Sequence, residues 1–201
     1  MERRDAIGAF VLAGGKSSRM GHAKGLLPFA GKPLVVHVAR LVEFGGEPPI
    51  IVGPASLFGA LGFRVFGDDR QNLGPLGGIC TALRVATQGW NLIVGCDLPF
   101  LTREWLEFLV LRAMDSPADV VIPVNERGYE PLCAMYRKRA HEAIAKALER
   151  GARKVTDGLA ELALAPIEPS EWKAFDPRGR LFKNVNTPRD YEQARADAES
   201  E

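Results

Sequence analysis

A chain of 201 residues, 46% of them hydrophobic, is the length of one domain with a sizeable core and is too apolar for extended disorder. Its formal net charge of +1 leaves no bulk attraction to nucleic acid or to an anionic membrane, so any anion site has to be local. Cysteines at positions 80, 96 and 133 make an odd set without a CxxC pair, which argues against a disulfide framework or a zinc knuckle. Reduced thiols and a cytoplasmic location are the simplest expectation. The start, MERRDAIGAFVLAGG, has no secretory h-region, and no apolar run reaches membrane-spanning length.

The apolar run Ala6 to Leu12 reads as a buried strand that ends at Gly14-Gly15. Pro33 to Phe44 has helical spacing, with Leu34, Val38, Leu41 and Val42 on one face and Pro33 in a favourable first-turn position. Strands follow at Pro48 to Gly53 and Phe63 to Phe66, the latter trailed by Asp68-Asp69. Gly74 to Gly78 (GPLGG) opens a helix to about Ala86, and Asn91 to Phe100 carries a buried strand that stops at Asp97. Thr102 caps the next helix, with Glu104 and Glu107 in its first turns. Asp119 to Val124 and Pro131 to Arg137 read as strands, and Lys138 to Arg150 as an amphipathic helix. The region from Gly151 to Asp176 has no clear period, and Thr187-Pro188 begins a last helix whose end is expected to fray.

Strands alternate with helices, and the strands are apolar throughout. This predicts an α/β fold with a mostly parallel central sheet covered by helices on both faces. Pro131 to Arg137, directly before a helix, is the one candidate for an antiparallel strand. No repeat or linker divides the chain, so a single domain is expected over 1–201, with a nucleotide-binding half at about 6–100 and an acceptor-binding half at about 101–190.

The stretch LAGGKSSRMGHAKGLL, Leu12 to Leu27, has four glycines, four basic side chains and no acid. A loop after the first strand lies at the carboxyl end of the sheet, where open α/β folds bind ligands. Gly14 and Gly15 let backbone N–H groups approach an anion, and Lys16, Arg19 and Lys24 add charge. Polyphosphate fits these features. The loop is neither a GxxxxGK[ST] P-loop nor a GxGxxG dinucleotide fingerprint.

LAGGKSSRMG, then Lys24, then LLPFAGKPL resembles the signature of nucleotidyltransferases that activate sugars and pterins, and most of all molybdenum cofactor guanylyltransferase. GPLGG at Gly74 to Gly78, GCDLPF around Asp97 and NVNTP at Asn184 to Pro188 are similar to further motifs of that family, in its order, across residues 7 to 190. One departure stands out: Ala23 occupies the place of the aspartate that usually precedes the loop lysine, and the spacing from Met20 is one residue short. The resemblance implies a Rossmann-like three-layer fold and transfer of GMP from GTP to the terminal phosphate of molybdopterin, with release of pyrophosphate and with Mg²⁺ as cofactor. Proteins of cofactor synthesis or recipient apoenzymes would be its partners.

It further implies that Leu12, Ala13, Gly14 and Gly15 bind the nucleotide through backbone groups, with Lys16 and Arg19 beside the triphosphate. Lys24 would neutralise phosphate charge in the transition state. Asp97, at a strand end, would hold Mg²⁺, a hard cation that takes carboxylate, water and phosphate oxygens. Asn186, and less strongly Asn184, would contribute neutral oxygens or cap the last helix. Gly78, with Gly74 and Gly77, would let the chain pass close to ligand. Asp68 can accept both donors of a guanine Watson–Crick edge, with Asp69 as the neighbouring alternative. His22, His37 and His141 have no ligand spacing, and Cys96 reads as a small buried side chain. Arg137, Arg153, Lys154 and Lys183 are the basic residues available to an acceptor. A relative that uses CTP or a sugar phosphate would share the loop and Asp97. A non-catalytic nucleotide- or pterin-binding adaptor would need no metal site.

Overall fold

Alternating apolar runs and glycine-marked turns produce a layered α/β structure in the computed structural model, which describes residues 7–14, 23–44, 48–67 and 73–199. The first half contains β1 (Gly8–Leu12), the small hairpin β2 (Pro28–Phe29) and β3 (Lys32–Pro33), α1 (Leu34–Leu41), β4 (Ile50–Val52), α2 (Ala55–Phe58), β5 (Arg64–Phe66), α3 (Gly74–Val85) and β6 (Trp90–Gly95). The second half contains α4 (Arg103–Met114), β7 (Val120–Asn125), β8 (Gly128–Tyr129), β9 (Cys133–Arg137), α5 (Ala140–Glu149), α6 (Val155–Gly158), β10 (Leu164–Ile167), α7 (Pro169–Trp172) and α8 (Pro188–Glu199).

One sheet runs through both halves in the order β10-β7-β9-β6-β1-β4-β5, with β8 paired to β7. The pairs β10–β7, β6–β1, β1–β4 and β4–β5 are parallel. β9 runs antiparallel to both β6 and β7, as its sequence position indicated. Alternate strand residues feed opposite faces. Ala9, Val11, Leu92, Val94, Cys133 and Met135 pack with α1 and α4. Phe10, Leu12, Ile93, Ala134 and Tyr136 pack with α3 and α5. Those two apolar layers account for strands without polar alternation.

One reading shifts. Pro33 is not in the first helical turn: it closes the β2–β3 hairpin and caps α1 with extended backbone (φ −56°, ψ 141°). α8 runs from Pro188 to Glu199, starting at the Thr187-Pro188 step as expected. Residues 151–176, unreadable by period, supply the edge strand β10, two one-turn α-helices and a 3₁₀ turn, Lys173–Phe175. Among the described residues no helix is long and apolar enough to cross a membrane.

The topology fixes where a ligand can enter. After β1 the chain adds β4 and β5 on one side, then crosses to place β6 on the other. The sheet order thus reverses about β1, and the crevice outside the carboxyl ends of β1 and β6 is the topological switch point. Leu12 and Gly95 are register partners there, and Cys96 N–H donates to Leu12 O at 3.0 Å. The segments holding Gly14 and Asp97 therefore leave the sheet side by side.

Candidate active site

Three segments distant in sequence meet at this crevice. Lys24 begins a one-turn 3₁₀ helix, Lys24–Leu26, held by Leu26 N–H to Ala23 O (2.8 Å) and Leu27 N–H to Lys24 O (3.1 Å). The buried Gly25 seats this turn; a Cβ there would press on Phe58 at 3.1 Å. Asp97 follows β6 by two residues, and its carbonyl accepts from Val185 N–H at 2.9 Å, which pulls the segment 184–187 over the sheet end. His37 of α1 bonds the carbonyl of Pro99 at 2.9 Å through Nε2 and braces the same turn. Burial, partly offset by that backbone bond, lowers the His37 pKa, so the imidazole there is a neutral strut.

The Lys24 ammonium donates to Asp97 Oδ2 at 2.9 Å and to Asn186 Oδ1 at 2.8 Å. The Lys24 and Asp97 side chains are only 17% and 16% exposed, so solvent screens the pair partially. Asn186 is held in turn by Asp190, whose Oδ2 accepts from the backbone N–H of Asn186 (3.1 Å) and Thr187 (2.8 Å). That clamp makes Thr187-Pro188 the start of α8. The triangle brings together three of the residues singled out from sequence.

The other candidates fall differently. Leu12 is buried at the end of β1, and Gly14 is exposed: among the described residues a Cβ at Gly14 would meet nothing within 4 Å. Gly78 is buried inside α3, where a Cβ would meet Leu12 Cδ1 at 3.1 Å, so it serves the close packing of α3 against β1. Gly74 supplies a left-handed backbone (φ 63°) at the mouth of that helix. Gly15, Lys16, Arg19 and Asp68 lie outside the described residues, as do His22 and Asp69. Ala23, in the place of the usual aspartate, leaves the 3₁₀ turn without a side-chain cap. Burial pushes the thiol pKa of both Cys96 and Cys133 up to about 12, so both remain protonated packing groups.

Beside Asn186 opens a cavity of about 730 Å³, lined by Arg127, Trp172, Lys173, Phe182, Lys183 and Asn184 among others. Lys183 is the only one of the four basic residues named from sequence that lines it. Arg137 is excluded by strand direction: β9 runs opposite to β6, so Arg137 pairs with Trp90 at the far end of the sheet. There its guanidinium stacks on Trp90 at 4.3 Å and bonds Ser116 O (2.8 Å) and Ala118 O (3.1 Å). Arg153 bonds the carbonyl of Ala152, and neither it nor Lys154 is among the cavity's lining residues. Asn184 Oδ1 is buried in the cavity wall and finds no donor among the described residues.

Glu130 was not singled out from sequence. It follows the β7–β8 hairpin, accepts from Asn125 Nδ2 at 2.8 Å and lies within electrostatic reach of Asp97. Burial raises its pKa, the Asn125 bond opposes this, and the Asp97 charge adds to the rise. Its only signal was polarity at the head of a strand, which is ordinary turn chemistry. Among the described residues no three His, Cys, Asp or Glu side chains gather as a metal cage.

A polar crevice at the switch point of a mostly parallel sheet, with an ammonium bonded to a carboxylate inside it, is a site built for a charged ligand. The family model of the MobA-like NTP transferase domain matches residues 9–163, and the chain belongs to that family. A protein named probable molybdenum cofactor guanylyltransferase from Carboxydothermus hydrogenoformans is 34% identical over 91% of this chain and 92% of its own. A protein of the same name from Natranaerobius thermophilus is 31% identical over 95% of this chain and 96% of its own. The crystal structure of molybdopterin-guanine dinucleotide biosynthesis protein A from Archaeoglobus fulgidus is 26% identical. It covers 96% of this chain and 100% of that one, with a TM-score of 0.84.

Proposed function

We propose that this chain transfers GMP from GTP to the terminal phosphate of molybdopterin, with Mg²⁺, giving the guanine dinucleotide and pyrophosphate. The observation that carries this reading is the Lys24–Asp97–Asn186 triangle, set between the open backbone at Gly14 and the cavity beside Asn186. The names of the relatives supply the pterin and the guanine.

In this reading an oxygen of the acceptor phosphate attacks the α-phosphorus of GTP in line. The α–β phosphoanhydride bond breaks, and its electrons leave with pyrophosphate. A phosphate monoester has its second pKa near ~6, so the nucleophile is already a dianion at neutral pH and no protein base is required. The task is to hold two anions together and to absorb charge on the leaving group. Gly14 offers an approachable backbone to the nucleotide, whereas Ala13 N–H is given to Val52 O at 2.8 Å and Ala13 only shapes the strand end; Gly15, Lys16 and Arg19 are assigned beside the triphosphate. The Lys24 ammonium neutralises phosphate charge. Asp68 is assigned to the guanine edge.

The residues fit Mg²⁺. Asp97 Oδ2 and Asn186 Oδ1 converge on one point, where the structure has a cation, the Lys24 ammonium, at 2.9 and 2.8 Å. Two hard oxygens with the remaining positions left to phosphate and water is the donor set this ion prefers. When bound, the ion would neutralise phosphate oxygens. The cavity suits the second substrate: Trp172 and Phe182 give flat apolar walls, and Arg127, Lys173 and Lys183 offer cations to its phosphate in a lining that Glu126, Asp176 and Asp190 keep balanced in charge.

The test is pyrophosphate release with Mg²⁺ and molybdopterin, offering GTP and CTP separately. Release with GTP alone, abolished in Asp97→Ala, is expected. Release with CTP alone would keep the reaction and overturn the base. Binding of GTP without release would favour a non-catalytic carrier. Asp68→Asn should weaken GTP binding without changing Mg²⁺ dependence.

A further inference from the structure

We propose that the Lys24 ammonium is a resident counter-ion that excludes a divalent cation from the Asp97–Asn186 oxygen pair until a triphosphate draws it away. The ion is then captured with the nucleotide and not by the free protein. This rests on the metal reading above and concerns what the protein does before any substrate is bound.

The geometry carries it. The two oxygens suited to the metal are both engaged by one ammonium, at 2.9 and 2.8 Å. A second cation cannot enter that space with Lys24 in place. It would lose the oxygens as ligands and would meet a positive charge at contact distance that solvent screens only in part.

The supports of the triangle differ in rigidity, which decides what moves. Asp97 is pinned through its carbonyl by Val185 N–H, and its segment is braced at Pro99 by His37. Asn186 is pinned through its own N–H by Asp190. The Lys24 backbone is pinned by its 3₁₀ turn and by Gly25 packed on Phe58. The soft part left is the four-carbon lysine stem, whose bonds rotate without disturbing the fold. A triphosphate bound along the loop after β1 offers the ammonium a stronger partner than one carboxylate. Transfer of Lys24 to phosphate vacates both oxygens as phosphate oxygens arrive to complete the metal's shell. A lysine that serves only the transition state would leave the free protein's metal affinity unchanged on removal.

The experiment uses Mn²⁺ as the probe and the full chain, with unbound Mn²⁺ read by electron paramagnetic resonance in the absence of nucleotide. Wild type should take up Mn²⁺ weakly; because GTP chelates Mn²⁺ on its own, the nucleotide arm is read as Mn²⁺ retained with the chain on gel filtration, and GTP should induce that retention. Lys24→Gln should bind Mn²⁺ roughly tenfold more tightly than wild type without nucleotide, the scale on which a neighbouring cation shifts a carboxylate's affinity for a proton. Lys24→Met, close in shape but unable to bond, should repeat the gain and serves if the glutamine variant does not fold. Lys24→Arg should keep the exclusion, and Asp97→Asn in either neutral background should remove the gain. Equal Mn²⁺ affinity in wild type and the folded neutral variants would overturn the proposal and leave the metal reading standing. No Mn²⁺ retained with the chain by any form even with GTP would overturn both.

Discussion

Asp97 folds its carboxylate back over Gly95, so that a Cβ on Gly95 would collide with Asp97 Oδ1. The other neighbours of that virtual Cβ are the Leu132 side-chain atoms at an ordinary 3.5 Å. The glycine is therefore required by the carboxylate and not by the core. Gly95→Ala should swing Asp97 out of the Lys24–Asn186 triangle. The expected result is a roughly hundredfold loss in the rate of pyrophosphate release, the scale of a misplacement of about 1 Å. Thermal melting should register a loss no larger than the ~1–3 kcal/mol of a local overpacking. A variant with intact turnover would show that the Asp97 position is unimportant.

The Lys24–Asp97 pair should contribute little to the fold. It is a single ion pair near the protein surface with side chains 17% and 16% exposed, and the segments that carry it are fixed by backbone bonds. A double-mutant cycle of Lys24→Ala and Asp97→Ala, followed by urea denaturation, should return a coupling of about 1 kcal/mol or less. Each single variant should nevertheless lose on the order of 10² or more in turnover, the usual loss when one electrostatic stabiliser of a transition state is removed. A coupling of several kcal/mol would make the triangle a structural bridge.

Much of this site was legible because its parts lie at ends of elements. The apolar run of β6 stops where Asp97 begins, the glycines of GPLGG open α3, and Thr187-Pro188 starts α8. Such boundaries mark places where backbone leaves the sheet, and polar residues there face the crevice. What sequence did not reveal is the wall of the cavity. Arg127 sits in a two-residue hairpin tip, and Trp172, Lys173 and Phe182 come from one-turn helices and loops without any period. β10 was missed because its apolar run, Leu162 to Ile167, is broken by an exposed proline, Pro166, and a proline inside a run demotes the strand reading to a sheet edge. Arg137 had the right charge for the acceptor, but its strand runs the wrong way, and charge alone does not report which end of a sheet a residue occupies.

Trp105 joins the core to the cavity proposed above for the acceptor. It is fully buried, its indole N–H donates to Cys133 Sγ at 3.3 Å, and its ring meets Phe108, Phe175 and Phe182 at centroid distances of 5.8–5.9 Å. Phe182 in turn packs edge-on against Trp172 at 4.9 Å, and both line the cavity. Trp105→Ala should cost ~3–5 kcal/mol in denaturation. Below its melting temperature the variant should show a raised KM for molybdopterin with the KM for GTP little changed, since the collapse lies on the acceptor side. Equal rises in both would place Trp105 in general stability only.

Glu130 should give the site a pH signature in stability. Burial raises its folded pKa above the ordinary 4.5 of the unfolded chain, and the Asp97 charge pushes the same way against the Asn125 bond. The folded state therefore binds the proton more tightly than the unfolded state does. The stability this provides is fully present below about pH 4.5 and is lost as pH rises through the raised folded value. Above that window the ionised carboxylate is a burden on the fold. Glu130→Gln keeps an oxygen for Asn125 Nδ2 and removes the charge. It should melt at a higher temperature than wild type at pH 7–8, and the difference should vanish near pH 4. A glutamine variant that melts lower than wild type at neutral pH would show that the Glu130 charge has a stabilising partner, and the direction assigned to its pKa would be wrong.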